Sequence, residues 1–360
     1  MKAAVLSQIP GRLQIEEVQI DQPRQQEVLV RVAATGLCHS DLHVMRGQVE
    51  APIPTVLGHE AAGIVEEVGP GVQGLRSGDH VLGFLAGYCG ACDYCLSGRP
   101  TLCRHSFDRD PDEPPRLRLG GTPLHQFVGL STFAEQMLVH EHQLVKIDPS
   151  IPLDRAALVG CAVPTGVGAV IRTARVPAGA TVAVIGCGGI GLNVIQGATL
   201  VGARRIIAVD IDPGKLERAH DFGATDLVDN SDGDALEQIE ALLPGELGVD
   251  FSFEALGRVE TYQLAAAMLR PGGTATLIGL PEQRPIPFPP ATFSGERKIQ
   301  GCSMGSVRFS TDLPYLLGLY RAGRLKLDEL VSRQIRLEEI NDGYDAIGRG
   351  DVARSVVLFD

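Results

Sequence analysis

The stretch Thr181–Gly191, TVAVIGCGGIG, constrains this chain more than any other. An apolar, β-branched run (Val182, Val184, Ile185) leads into Gly186, Gly188 and Gly191, spaced G-x-G-x-x-G with Gly189 between them. A helix-periodic segment, Ile190–Val201, follows. The pattern predicts a strand, a tight turn at Gly186, a close backbone approach to a pyrophosphate at Gly188, and helix–strand packing at Gly191. N–H groups at the helix start would face the phosphates. A second strand, Arg205–Ile211, carries Asp210 19 residues past Gly191, where an acid for the ribose hydroxyls belongs. This is the pattern of a dinucleotide site. Asp210 is followed by Ile211 rather than an arginine, which predicts NAD over NADP because a carboxylate repels a 2′-phosphate. Lys215 either reaches back to the ribose or is a solvated lysine at a helix start.

A length of 360 residues predicts two domains. The formal charge of −12, with no basic cluster, argues against nucleic acid or an anionic membrane as a partner. Gln8 and Pro10 interrupt the apolar start, so no secretory signal is expected. Val176–Ala203 is long enough to span a bilayer, but its glycines, Asn193 and Gln196 make it a strand plus a buried helix. A cytoplasmic protein is expected. Disulfides are rare there, so the eight cysteines point to metal.

Up to about residue 160, KAAVLSQ, LQIEEVQI, EVLVRVAA, GIVEEVG, DHVLGF and FAEQMLVHEHQLVKI read as short antiparallel strands with no helical repeat of any length. Six strands of βαβ type follow: TVAVIG, RIIAVDI, ATDLVDN, VDFSFEALG, TATLIGL and KIQGCSM. From Pro314 a helix-like stretch and a final strand, ARSVVLF, are expected to pack back on the first domain. The expected fold class is α/β. A discontinuous β-rich domain, 1–162 and 305–360, is joined to a six-stranded doubly wound parallel-sheet (Rossmann) domain, 163–304. Arg104–Gly121 reads as a proline-rich surface loop, either a lid or a solvated excursion.

Two groups of residues suggest metal. Cys89, Cys92, Cys95 and Cys103 have the spacing C-x2-C-x2-C-x7-C, and Gly90, Gly98 and Pro100 let the lobe 89–103 wrap around a centre. Four thiolates suit a closed structural zinc site better than the iron–sulfur clusters that use related spacings. The second group is dispersed: Cys38 in GLCHSDLHV, His59 in GHEAAG and Cys161 in GCAVPTG could supply two thiolates and an imidazole, leaving one position open.

Taken in order, GLCHSDLH, GHEAAGIVEEVG, the four-cysteine lobe, GCAVPTG and the glycine fingerprint resemble the zinc-dependent medium-chain alcohol dehydrogenases over the whole chain. That resemblance implies a GroES-like catalytic domain, a Rossmann domain, an active site in the cleft between them, and two zinc ions per chain. It implies that Cys38, His59 and Cys161 hold catalytic zinc, that Cys89, Cys92, Cys95 and Cys103 hold structural zinc, and that Glu60 tunes the catalytic centre. Zinc would stabilise an alkoxide that passes hydride to NAD. Ser40 would take the alcohol proton and His43 pass it to solvent. His39 and Arg354 resemble pyrophosphate contacts, and Leu85, Phe127, Val128 and Leu280 resemble an apolar pocket wall. The reaction implied is interconversion of primary aliphatic or aromatic alcohols and aldehydes by a homodimer or homotetramer. A formaldehyde dehydrogenase acting on a glutathione or mycothiol adduct is the alternative, with Arg116 or Arg118 on the conjugate's carboxylate. A non-catalytic NAD-binding zinc protein is the reading from a different class.

Overall fold

Alternation and continuity of apolar residues set the two kinds of sheet in this chain. A computed structural model describes residues 1–105, 113–350 and 352–360. Residues 106–112 of the expected lid lie outside the described residues. Two compact units result: Met1–Cys161 with Arg308–Asp360, and Ala162–Val307. The expected junctions lie one residue later at the first boundary and three earlier at the second. The second difference has a physical cause, since Gly305 lies against Pro164 O and Gly168 and so belongs with the second unit.

In the first unit, β1 (Lys2–Leu6), β2 (Gln14–Glu17) and β3 (Gln19–Ile20) precede β4 (Glu27–Gly36). Helix α1 (His39–Met45) leads to β5 (Thr55–Val56), β6 (Glu60–Val68) and β7 (His80–Gly83). After helix α2 (Asp93–Leu96) come β8 (Leu117–Leu119), β9 (Thr122–Gln126), β10 (Gln136–His140), β11 (Leu144–Lys146) and helix α3 (Leu153–Leu158). β4 is the organising strand. One edge pairs antiparallel with β6; the other pairs with β10 over its first half. Apolar side chains of β4, β6, β7 and β10 form one core, and β1, α1 and β5 contribute to a second. Each fully buried Val, Leu or Phe there contributes about 1.5–3 kcal/mol.

The structure corrects the sequence reading at several points in this unit. α1, α2 and α3 are helices where none was expected, and β5 pairs with β9 in parallel rather than antiparallel. In addition, the segment ending at Gly121 is not wholly irregular, because β8 and β9 form an antiparallel hairpin.

The second unit begins with α4 (Ala162–Gly168) and alternates strands with helices. These are β12 (Thr181–Ile185), α5 (Gly189–Leu200), β13 (Arg205–Asp210), α6 (Pro213–Asp221) and β14 (Asp226–Asp229). Then come α7 (Ala235–Leu242), β15 (Val249–Glu254), α8 (Val259–Ala267), β16 (Leu269–Leu277) and β17 (Lys298–Gly301). All pairings are parallel, in the order β14-β13-β12-β15-β16-β17. β12 is buried at every residue, as a central strand covered on both faces must be.

The chain then returns to the first unit. Helix α9 (Phe309–Arg321) buries Phe309, Leu313, Leu316 and Leu317 along one stripe. β18 (Val331–Ile335), α10 (Ile340–Arg349) and β19 (Arg354–Leu358) follow. β19 pairs with the end of β4, beside the stretch that β10 occupies, and parallel to β18. No helix among the described residues is long and apolar enough to cross a membrane.

Candidate active site

The end of β4 delivers Leu37 and Cys38 to the start of α1, and the turn before β6 delivers His59 and Glu60. Cys161 follows α3. The donor atoms of Cys38, His59, Glu60 and Cys161, all buried, lie within 4.8 Å of one another. Donors on one zinc each stand about 2.0–2.3 Å from it, so any two are at most about 4.6 Å apart. Two sulfurs, an imidazole and a carboxylate at this spacing fit such an ion after small adjustments.

Charge is arranged around this cluster. The Cys161 thiol donates to the Cys38 sulfur and holds Cys38 well below the usual thiol range, against burial, with His59 and Arg354 adding to the effect. The same donation, then burial, pushes Cys161 up. Burial disfavours the His59 imidazolium, but Asp41 and the Cys38 sulfur outweigh it and raise His59. Burial lifts Glu60 to about 8, with Arg354 pulling the other way.

Asp41 is a functional residue that sequence reasoning missed. It is fully buried on the inner face of α1, and its Oδ1 accepts from Gly58 N at 3.0 Å and lies 3.3 Å from His59 Nδ1. A histidine whose Nδ1–H is held by a carboxylate presents Nε2 to a metal in a fixed orientation. The signal was present in CHSDLH, where an acid stands three residues after a candidate ligand.

Arg354 takes a different place from the one expected of it. Rather than standing open for a pyrophosphate, it is buried at the start of β19. It donates from Nη2 to Glu60 Oε1 at 2.9 Å and from Nη1 to Leu37 O at 2.9 Å. The Glu60 carboxylate and the two sulfurs push the guanidinium's pKa up despite its burial. The guanidinium is thus set against Glu60 and the end of β4, with its Nε left without a protein partner. Glu60 Oε2 has no protein partner and lies against Gly36, where a Cβ would stand 2.3 Å from it.

Ser40 Oγ lies 3.6 Å from Cys38 Sγ, and His43 follows three residues later on the same helix, its Nδ1 2.5 Å from Gln48 Oε1. His39, at the helix start, is exposed. The Phe127 ring stands edge-on to His59, centroids 6.0 Å apart. Leu85 is half-buried against the β4–β6 core. Leu280 belongs to the second unit and is 46% exposed. Arg116 is a further correction: it is buried, with Nε 2.7 Å from Glu27 Oε1 and Nη2 3.0 Å from Glu113 Oε2, so it is not available to a conjugate's carboxylate.

Val128 adopts φ 46° and ψ 29°, a left-handed conformation costing a β-branched residue about 1–3 kcal/mol. Gln143 Nε2 donates to Val128 O at 3.0 Å, and Ser131 Oγ donates to Val56 O at 2.7 Å while accepting from Phe127 N at 2.9 Å. Val128→Gly is therefore expected to stabilise the chain by about 0.5–1 kcal/mol, after glycine's larger unfolded-state entropy is subtracted. A lower urea midpoint for this variant would show that the turn is not strained.

In the zinc-lobe candidate, Cys92 Sγ lies 3.5 Å from Cys95 Sγ and 3.9 Å from Cys103 Sγ, and Cys89 Sγ lies 4.0 Å from Cys95 Sγ. Backbone N–H groups of Cys89, Ala91, Cys92 and His105 point at these sulfurs. The Cys95 N–H is the main cause lowering Cys92 to about 6, whereas burial pushes Cys95 up to about 12. Four converging sulfurs with N–H donors behind them fit a metal held by thiolates.

In the second unit, Asp210 Oδ2 accepts from Cys187 N at 2.7 Å, and Oδ1 accepts from Ile211 N at 2.8 Å and Asp212 N at 3.1 Å. Lys215 lies near enough to Cys187 to stabilise its thiolate, against the larger effects of burial and Asp210. A Cβ at Gly191 would stand 1.8 Å from Gly186 O, whereas one at Gly188 would meet nothing within 4 Å. The turn is thus closed on the helix side and open where a pyrophosphate would lie.

Residues 24–149 match the alcohol dehydrogenase GroES-like domain, and residues 189–321 match the zinc-binding dehydrogenase family. An alcohol dehydrogenase zinc-binding domain protein from Burkholderia ambifaria shares 35% identity and a TM-score of 0.94, over 100% of this chain and 98% of that one. A benzyl alcohol dehydrogenase from Acinetobacter calcoaceticus shares 32% identity and a TM-score of 0.94, over 100% and 99%. An alcohol dehydrogenase from Thermus sp. ATN1 shares 30% identity and a TM-score of 0.86, over 100% of both chains. Likeness at this level over the full length makes the chain a member of the zinc-binding alcohol dehydrogenases of the medium-chain dehydrogenase family, oxidoreductases that work with zinc and a nicotinamide cofactor.

Proposed function

We propose that the chain interconverts primary alcohols, aliphatic or aromatic, and their aldehydes, with NAD as hydride carrier. The observation that carries this reading is the buried convergence of Cys38, His59 and Cys161 with the Ser40 hydroxyl beside Cys38. These three residues would hold catalytic zinc, and Cys89, Cys92, Cys95 and Cys103 a structural zinc. When bound, catalytic zinc supplies a Lewis acid that makes an alcohol acidic enough to ionise near neutral pH, and NAD supplies the hydride acceptor. Ser40 takes the proton from the alcohol oxygen, and His43, one helical turn on, hands it to solvent. Asp41 keeps His59 in the ligating tautomer, and Glu60 lies within reach of the same centre. Phe127, Val128 and Leu85 would present apolar surface to the substrate's tail, in keeping with a benzyl alcohol dehydrogenase among the similar structures.

Gly186, Gly188, Gly189 and Gly191 would cradle the pyrophosphate, and Asp210 and Lys215 would take the ribose. An Asp210 carboxylate fixed by three N–H groups favours NAD over NADP. Asp210→Ala is expected to raise the KM for NAD about 10- to 100-fold while leaving that for NADP unchanged or lower. An unaltered NAD/NADP preference would count against this role. A homodimer or homotetramer agrees with the outer position of β17, which among the described residues pairs with β16 alone.

The test is zinc per chain, measured with NAD reduction by a panel including benzyl alcohol, hexanol and formaldehyde with glutathione or mycothiol. Two zincs and turnover of free alcohols are expected. Turnover of the thiol adduct alone would move the protein to the formaldehyde branch, and one zinc without turnover would end the catalytic reading.

A further inference from the structure

The strand order of the parallel sheet reverses between β12 and β15, whose ends are paired at Ile185 and Glu254. In open parallel sheets, ligands bind beyond the strand ends at such a reversal. With Asp210 on β13 facing one mononucleotide half, the segments after β15 and β16 face the other.

Glu254 is fully buried at this point. Its Oε1 accepts from Leu256 N at 2.9 Å, Gly257 N at 2.8 Å and Thr261 Oγ1 at 2.6 Å. Its main-chain carbonyl accepts from Ile278 N at 2.8 Å and Gly279 N at 3.2 Å. One residue thus ties the segment after β15 to the segment after β16. The two segments touch backbone to backbone: a Cβ on Gly257 would stand 1.9 Å from Leu280 O, and one on Gly279 would stand 2.1 Å from Gly257 N. Tyr262 adds a bond from its hydroxyl to Gly279 O at 2.6 Å, and Ala255 N donates to Ile185 O at 3.0 Å. The Leu256 side chain is thereby held over the glycine turn, its Cγ 2.6 Å from where a Cβ of Gly186 would be.

An apolar residue would close β15 without the cost of a buried carboxyl group. Burial pushes Glu254 above the usual carboxyl range, against the pull of Thr261 and the N–H groups, and its Oε2 has no protein partner. That cost makes sense if the backbone position it fixes matters.

We infer that Glu254 is a positioning residue for the dinucleotide, setting Leu256, Gly257 and Leu280 around the crevice before the cofactor arrives. The inference rests on the dinucleotide reading of this unit and deepens it. A wall set in advance strengthens binding by removing the cost of ordering it.

NADH titration of the zinc-loaded full-length protein, followed by nicotinamide fluorescence, tests this in the original chain and in Glu254→Ala, Glu254→Gln and Thr261→Val. Glu254→Ala is expected to weaken NADH binding about 10-fold or more, and to raise the KM for NAD more than it lowers kcat. Glu254→Gln retains the Oε1 acceptor and is expected to recover most of the affinity. Thr261→Val, which removes one donor at a half-exposed position, should fall between them and keeps the test alive if the alanine variant does not fold. Unchanged affinity in the variants, or a glutamine variant as impaired as the alanine one, overturns the inference while leaving the dinucleotide reading intact. An original chain that binds no NADH overturns that reading and the inference with it.

Discussion

Replacing Cys38 by alanine is expected to leave a folded chain with one zinc instead of two and alcohol oxidation reduced about 10⁴-fold or more. The argument is local. Cys38 supplies one of two sulfurs in the buried cluster with His59 and Cys161, and its sulfur lies 3.6 Å from the Ser40 hydroxyl. Alanine therefore removes a ligand and the anchor of the proton path together. The four-cysteine lobe shares no residue with this cluster and should keep its own metal. NADH affinity should change little, because the glycine turn and Asp210 belong to the other unit. Metal analysis and turnover of benzyl alcohol check both halves of the result. Two zincs in the variant, or activity within tenfold of the original, would show that Cys38 is not a ligand.

The second large effect concerns stability. Arg354→Met is expected to cost about 2–4 kcal/mol, because it leaves the Leu37 carbonyl and the buried Glu60 carboxyl without their donor. Arg354 donates to both Glu60 and the Leu37 carbonyl, and water cannot take its place at a site so fully covered. Replacing Glu60 as well should recover part of the loss, since part of the cost is a buried Glu60 carboxyl left without its donor. A urea-unfolding cycle over Arg354→Met, Glu60→Gln and the double variant measures this coupling. Additive single effects would mean that the two side chains do not depend on each other.

How far the sequence foretold the structure follows from how local each signal is. The six parallel strands were legible because apolar, often β-branched stretches recur between helix-like segments, most plainly in β12 and β13. The cysteine lobe was legible because all its donors fall within one short stretch. α1 was not, since seven residues are too few to show a helical period and its cap, Cys38, makes no side-chain capping bond. The β8–β9 hairpin was legible in principle: RLRLGGTPLH alternates on either side of a glycine pair. The prolines just before it break the alternation where it would begin. Asp41, Arg116 and Arg354 were beyond sequence logic in a stricter sense. Their partners His59, Glu27 and Glu60 lie 18, 89 and 294 residues away, and only strand pairing brings them together.

That last separation bears on how the protein is made. Cys38, His59 and Cys161 leave the ribosome while the strand that sits beside β4 and carries Arg354 is still untranslated. Until it arrives, the end of one edge of β4 is open and Glu60 lacks its Arg354 partner. Metal capture at that centre should therefore be a late, post-translational event, whereas the cysteine lobe can load on the nascent chain. A cell short of zinc would then accumulate chains with the lobe filled and the catalytic centre empty.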